Sequence, residues 1–393
     1  MSTLKRFILV LNSGSSTLKF QIFKIDSLAV VLSGNFEKIG LRASFYELNE
    51  NGSGRAVMGN FPEGVPNHDQ ALKIILGKVN HWHKKIAAVG HRVVHGGEVY
   101  HDPTVINKAV IKKLEKLGEL APLHNPINVS CIKRAQQSLS QSIKHVAIFD
   151  TAFYADLPDY AYTYGLPYDF YTKLGIRKYG FHGTSHQYVT LQAAHKLKKP
   201  LNQLKLISCH LGSGCSITAV KNGKAVDTSM GFTPLAGLVM GTRSGDFDPA
   251  IILHLMKHLD FSPQQMETIL NFQSGLKGVF GYSRDMRDIM LASGYKIPGY
   301  KPKKKFSKED KARAKLALNI FVYTIVRYIG QYATVMGGVD AVIFTAGIGE
   351  RNADVRRLIQ SKLRFIRPYK VLTIPTNEGL MMAQLVKQKL RLK

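Results

Sequence analysis

Three short glycine-rich segments each follow an apolar run: NSGSST at 12–17, HLGSGCS at 210–216 and AGIGE at 346–350. Phosphate groups need donors that approach closely. Glycines let backbone N–H groups reach an anion, and Ser/Thr hydroxyls add donors. One such turn is ordinary hairpin chemistry, but three at strand ends in one chain point to a polyphosphate ligand. None fits G-x-x-x-x-G-K-[ST] or a G-x-G-x-x-G between strand and helix. The first two turn back into strands. The third is read as a turn entering a helix near Asn352, whose N-terminus suits a nucleotide. Lys19 sits just past the first turn, where an ammonium reaches a phosphate.

Two arginines stand beside strand ends in glycine-rich loops, Arg92 in GHRVVHGG and Arg243 in MGTRSGDFDP. A guanidinium fork matches a carboxylate or phosphoryl group in two-point contact. His91 and His95 are four apart, as are His182 and His186, a spacing that zinc helices use. Here Val93-Val94 and Gly96-Gly97 indicate a strand and turn, and Gly183 with Thr184-Ser185 reads as a loop and helix cap. A histidine before such a cap suits an anion rather than zinc. Asp150 ends a strand, facing either the ligand side or a helix it caps. Glu378 is either a ligand or an acid in a first helical turn.

Strands are expected at 7–12, 18–22, 86–94, 144–150, 204–210, 216–221, 224–228 and 339–345, with short β pieces over 29–60 and an Asn51-Gly52 turn. Helices are expected from about Asp69 and over 107–118, 126–139, 248–258, 262–271 and 312–335. The order "strand, Ser/Gly turn, strand, more strands, then alternating helices and strands" occurs twice, near residues 7 and 204. It predicts two α/β halves of one design with a ligand cleft between them.

The 393 residues are 45% apolar and 21% charged, which excludes disorder and collagen. Lys+Arg 54 against Asp+Glu 27 gives +27, favouring anionic partners without choosing among them. The 3 cysteines, Cys131, Cys209 and Cys215, make no disulfide framework and read as small buried residues. The apolar run at 7–11 is too short for a secretory signal, and no run is long enough to span a membrane. The aromatics from Phe153 to Tyr179 read as an interface between domains or subunits. The basic segment 301–315 reads as a solvated loop leading into a helix.

The strings LNSGSSTLKF (11–20), GHRVVHGGE (90–98), LAPLHNP (120–126), FDTAF (149–153), RKYGFHGTSH (177–186), CHLGSG (209–214), SMGFTPLAGLVMGTRSG (229–245), FTAGIGE (344–350) and IPTNE (374–378) make the chain resemble the acetate kinases, within the superfamily of sugar kinases, Hsp70 and actin. The resemblance covers nearly the whole chain. It implies an actin-like (ribonuclease H-like) α/β fold with a duplicated βββαβαβα core. The expected domains are 1–150, completed by the helix 379–393, and 151–378, which binds the nucleotide. It implies a cytoplasmic homodimer with no membrane or specific nucleic-acid partner, catalysing reversible phosphoryl transfer between ATP and acetate, with ADP and acetyl phosphate as products and Mg2+ (or Mn2+) as cofactor.

By matching motif, the resemblance gives the catalytic roles to Asp150, His182 and Arg243, and assigns the metal to Asn12 and Glu378. Arg92, with His124, would hold the substrate carboxylate or phosphoryl oxygens, and Val94, Leu123, Phe181 and Pro234 would form the methyl pocket. The nucleotide would meet Lys19, His210, Leu211, Gly212, Ser213, Gly214, Asp285, Met286, Arg287, Gly347, Ile348, Gly349, Glu350 and Arg351. Acetate is already ionised at neutral pH, so Asp150 is expected to orient Arg92, Arg243 or the metal's water rather than remove a proton.

The sequence also departs from the family pattern. Ser213 replaces the usual asparagine, Tyr154 a histidine, Met286 a phenylalanine and Arg351 an asparagine. The interval from Glu350 to Glu378 is shorter than usual, and the part missing normally supplies a strand and loops. Two alternatives follow: a kinase for propionate or another short-chain carboxylate, and a degenerate, non-catalytic homologue that binds polyanions.

Overall fold

The computed structural model describes residues 6–14, 16–50, 56–122, 124–366 and 368–393, with His81 and His83 described by backbone alone. It divides into two compact units. The first is 1–155 with 183–185 and 377–393, and the second is 156–182 with 186–376. The expected Asn51-Gly52 turn and Leu123 lie outside the described residues.

The first unit is built on a sheet of eight strands: β1 Phe7–Ser13, β2 Leu18–Lys24, β3 Val30–Glu37, β4 Ser44–Glu50, β5 Ala56–Phe61, β6 Ile86–Val93, β7 Thr104–Val105 and β8 Lys144–Phe149. Their order is β5-β4-β3-β2-β1-β6-β8-β7. β1 pairs antiparallel with β2 and parallel with β6, which is parallel to β8. The central strand β1 is buried on both faces. Phe7, Leu9 and Leu11 join one core with the helices His68–Lys78 and Asn125–Ser138, and Ile8 and Val10 join another with Met382, Ala383 and Val386. Those three residues lie on the helix Glu378–Leu390, so the C-terminal helix completes this unit.

The second unit has five strands: β9 Lys205–Leu211, β10 Cys215–Lys221, β11 Lys224–Thr228, β12 Ala341–Thr345 and β13 Lys370–Thr373, in the order β11-β10-β9-β12-β13. Again the first two strands are antiparallel, and the first runs parallel to the fourth, itself parallel to the fifth. With β4, β5 and β7 set aside, both sheets read third, second, first, fourth, fifth. That is the duplicated core, now visible as hydrogen-bond order. A long helix, Lys308–Met336, packs on β9 and β10, and its Phe321, Ile325 and Ile329 are fully buried. It starts earlier than periodicity suggests because Ser307 and Asp310 form a capping box.

Two short strands escaped the sequence reading. β7 has two residues, and β13 is a half-exposed edge strand with no alternation to reveal it. β13 also lies inside the shortened interval, so the edge position beside β12 is still filled. The third glycine-rich segment is not a turn. Ala346–Arg351 is itself a short helix, and Asn352 caps a second one, Ala353–Ser361.

Met382 has no exposed surface and lies in the core between the C-terminal helix and the sheet. Met382→Ala is expected to destabilise the first unit by about 2–5 kcal/mol. Urea unfolding followed by circular dichroism measures this, with the C-terminal helix as the element whose docking is weakened.

Candidate functional site

In the first unit, β1 and β6 lie side by side and deliver Asn12 and Arg92 to neighbouring strand ends. Arg92 is on β6, within the strand expected over 86–94, rather than in a glycine-rich loop. Asp150, just past β8, is 1% exposed. Its carboxylate accepts from Arg92 Nε at 3.0 and 3.2 Å and from Nη2 at 2.5 Å. Arg92 Nη1 donates to Asn12 Oδ1 at 3.0 Å, and Asn12 Nδ2 donates to Glu378 Oε2 at 3.4 Å. One hydrogen-bonded line therefore runs Asp150, Arg92, Asn12, Glu378.

Burial dominates the energetics of this line. It works against the Arg92 charge, but the Asp150 carboxylate more than offsets it, so the guanidinium pKa is raised. Burial pushes the Glu378 carboxyl above its ordinary range. Arg92 and Lys19 pull it back, while Asp150 adds to the rise. Glu378 opens the helix capped by Asn377, so it is both a first-turn acid and a member of the cluster.

The loops around this line are pinned by amides. Asn128 Nδ2 donates to Ser13 O and Oγ at 3.1 and 2.9 Å, and its Oδ1 accepts from the Val94 N–H. Asn125 holds both the N–H and the carbonyl of His95. His68 Nε2 lies 2.7 Å from Gly14 O in the first glycine turn. These three residues were missed. The two asparagines were signalled by the run LHNPIN, but an amide that serves backbone is not distinguishable by type from one on a helix surface.

The second unit carries a different chemistry. His182 stacks on His210, ring centroids 4.2 Å apart. His182 is the residue before the helix Gly183–Leu197, in a left-handed conformation (φ 58°), so the expected cap at Thr184-Ser185 falls one turn too late. Gly183, which belongs with Asp150 to the first unit, has no room for a side chain: a Cβ there would stand 2.1 Å from Asp150 O. At Gly214, a Cβ would meet His182 Nε2 at 3.3 Å and Arg243 Nη1 at 3.4 Å. The imidazole and the guanidinium thus flank one point beside the second glycine turn. Arg243 Nη1 also donates to Pro234 O at 3.1 Å.

A cavity of about 810 Å³ opens in this unit, lined by Gly212, Ser213, Asp285, Met286, Arg287, Gly347, Ile348 and Arg351 among the expected nucleotide residues. Arg284, Lys296, Ile297, Pro298, Asn352 and Asp354 line it too and were missed. Arg284 adjoins a named residue, and Lys296-Ile297-Pro298 belong to a loop that carries no motif. Asp285 caps the helix Met286–Ala292 and pins Arg287 at 2.6 Å.

His210, Leu211, Gly214, Gly349 and Glu350 are not on the cavity wall. Leu211 is in the core, and Gly349 packs on the backbone of Phe344 and Cys209. Glu350 Oε1 accepts from the N–H groups of Ala346 at 2.7 Å and Thr376 at 3.0 Å and from Thr345 Oγ1 at 3.3 Å. Its carboxylate closes its own helix's start and ties it to Thr376. Lys19, exposed beside the first turn, and His124, at the start of the helix Asn125–Ser138, belong to the first unit, as does buried Val94. Phe181 and Pro234 belong to the second.

No metal-competent group of three His, Cys, Asp or Glu occurs among the described residues. His91 and His145 instead form a buried pair, Nε2 to Nδ1 at 2.9 Å. All three cysteines are buried and free, and burial pushes the Cys131 thiol up to about 11. Among the described residues, no helix is long and apolar enough to cross a membrane.

Comparison with known proteins agrees with this arrangement. The Acetokinase family model matches residues 7–368. The acetate kinase of Clostridium novyi is 46% identical over 410 aligned positions, covering 97% of this chain and 98% of that protein. That of Bacillus subtilis is 43% identical, covering 96% and 98%. Among solved structures, Porphyromonas gingivalis acetate kinase superposes with a TM-score of 0.86 at 36% identity, covering 98% and 100%. A propionate kinase from Francisella tularensis gives 0.87 at 36% identity, covering 97% and 98%. The actin-like fold of these enzymes is therefore the fold of this chain. With its two matched sheets and with full-length relatives on both sequence and structural grounds, the chain belongs to the acetokinase family, phosphotransferases that take a carboxyl group as acceptor.

Proposed function

We propose that the protein is an acetate kinase, transferring the γ-phosphoryl group of ATP to acetate and back from acetyl phosphate to ADP. The observation that carries this reading is the Asp150–Arg92–Asn12–Glu378 line beside a glycine turn, in a chain whose full-length relatives are acetate kinases. Phosphoryl transfer spreads charge over equatorial oxygens and asks the protein for positioning and cationic donors more than for covalent chemistry. Arg92 supplies a guanidinium whose Nε and Nη2 are committed to Asp150. Asp150 thereby serves as its orienting partner, and no base is needed for an acceptor that is already a carboxylate. Arg243 and His182 supply the donors at the transferring group. The cavity of the second unit takes the nucleotide.

Asn12 and Glu378 fit a magnesium ion. They offer hard oxygen donors, and a nearby cation would offset the cost that burial imposes on the ionised Glu378 carboxylate. One carboxylate suffices, since magnesium keeps waters and takes substrate phosphates as further ligands. The ion would neutralise phosphate charge.

Val94, Leu123, Phe181 and Pro234 would define the acceptor's size. The propionate kinase neighbour supports a second reading, activity on a longer carboxylate. One methylene is worth about 1–3 kcal/mol in such a pocket, so both acids are turned over, with acetate preferred. A homodimer accounts for two helices of the second unit that have no fully buried residue, Ala250–Leu259 and Tyr168–Leu174: Leu253 is 69% exposed and Tyr168 63%. A reaction that draws on ATP supports a cytoplasmic location.

Two outcomes test this reading. Protein supplied with acetyl phosphate, ADP and Mg2+ is expected to form ATP in a coupled assay, and Arg243→Ala to lower kcat by about 10³-fold or more. No ATP from folded protein would favour the non-catalytic homologue. The second outcome concerns Glu378→Gln, which is expected to lose Mg2+-dependent turnover yet unfold at higher urea at pH 7. The carboxyl's folded pKa is raised, so the folded state holds this proton more tightly and ionisation costs stability as pH rises through the window. The stability difference is therefore absent below the unfolded carboxyl value of about 4.3 and complete above the raised folded one. Unfolding curves at several pH values measure it.

A further inference from the structure

The second unit contains a chain of side chains of which the phosphoryl-transfer reading uses only the end. His182 Nδ1 is 2.9 Å from Ser216 Oγ, which is 2.8 Å from His186 Nε2, and His186 Nδ1 is 2.8 Å from Ser208 Oγ. Ser208, Ser216 and His186 have no exposed surface. β9 and β10 set the spacing. Ser208 and Ser216 lie on these adjacent antiparallel strands, and the imidazole of His186 bridges their hydroxyls from the helix Gly183–Leu197.

Burial, with the nearby His210 adding to it, keeps His186 neutral. A neutral imidazole has one N–H and one acceptor nitrogen, so the chain has a direction. In one sense, His182 Nδ1–H donates to Ser216, Ser216 to His186 Nε2, and His186 Nδ1–H to Ser208. The Ser208 hydroxyl hydrogen is then buried with no acceptor, because His186 is its only side-chain partner among the described residues. In the other sense, Ser208 donates to His186 Nδ1, His186 Nε2–H to Ser216, and Ser216 to His182 Nδ1. Every donor on the three buried residues then meets an acceptor. Buried donors are satisfied wherever an arrangement allows it.

We propose that Ser208, His186 and Ser216 are positioning residues that hold His182 as its Nε2–H tautomer, through a hydrogen-bond chain running from Ser208 to His182. The Nε2–H is then on the side of the ring that approaches Gly214 and Arg243. His182 acts there as a donor to the transferring phosphoryl group without having to carry a charge. The catalytic half of this inference rests on the kinase reading above, whereas the tautomer does not.

The test uses the full chain with 15N-labelled histidine. Two-bond ring correlations separate a protonated nitrogen from a bare one, and loss of a spin system in His182→Gln assigns it. A protonated Nε2 and bare Nδ1 on His182 are expected, and a protonated Nδ1 overturns the proposal. Ser216→Ala is a small change that keeps the strand. It should erase the tautomer preference and lower kcat on the order of tenfold, with KM for ADP and acetyl phosphate little changed. An unaltered His182 tautomer in Ser216→Ala also overturns the proposal. His186→Gln, whose amide N–H can still donate to Ser216, should keep the preference, and His186→Leu should lose it. If neither the wild type nor any variant makes ATP, the kinase reading fails while the NMR result still decides the tautomer.

Discussion

The Arg92–Asp150 pair is the interaction on which the first unit's chemistry depends. Neither charge is stable alone where it stands. Asp150 is sealed at the end of β8, and Arg92 is on the neighbouring strand with its guanidinium held in two-point contact. A buried pair of this kind adds little net stability, but removing one partner leaves the other desolvated, at a cost of about 3–5 kcal/mol. The constraint works in both directions. β6 and β8 must stay in register for the pair to form, and the pair fixes the one Arg92 nitrogen that reaches Asn12.

The second unit solves the same positioning problem with neutral groups. Hydroxyls and imidazoles orient His182, and a backbone carbonyl orients Arg243. Neutral hydrogen bonds carry less energy than charge-assisted ones, but they impose a direction that an ion pair lacks. The two sheets share a strand order while their strand ends carry different chemistry, so duplicated topology does not imply duplicated sites.

Much of this was legible in the sequence, for definite physical reasons. Central strands such as β1 and β12 announce themselves because burial on both faces demands unbroken apolar runs. The hairpin turns were legible because close approach demands glycine. Arg92, Asp150 and Glu378 were singled out by type and place in the chain, and the motif resemblance gave them roles and added Asn12. What escaped depended on pairing. β13 is an edge strand without alternation. The resemblance gave Glu350 a nucleotide contact, but its hold on the Thr376 N–H comes from a residue that only the fold brings beside it. Asn125, Asn128, Ser208 and Ser216 are ordinary polar residues until the backbone or ring they serve is known.

That Glu350 carboxylate has a further consequence for how the chain can vary. One oxygen gathers Ala346 and Thr376, so the stretch between them, which carries the helix Ala353–Ser361 and β13, begins and ends at nearly the same place. A segment whose two ends are clipped together is a closed excursion. The length of a flexible loop along it enters the free energy only logarithmically, so loop residues can be added or removed at little expense. The shortened interval between Glu350 and Glu378 is a change in such an excursion. It leaves the clip in place and still provides one short strand for the sheet edge, so the periphery can be pruned while the strand ends keep their positions.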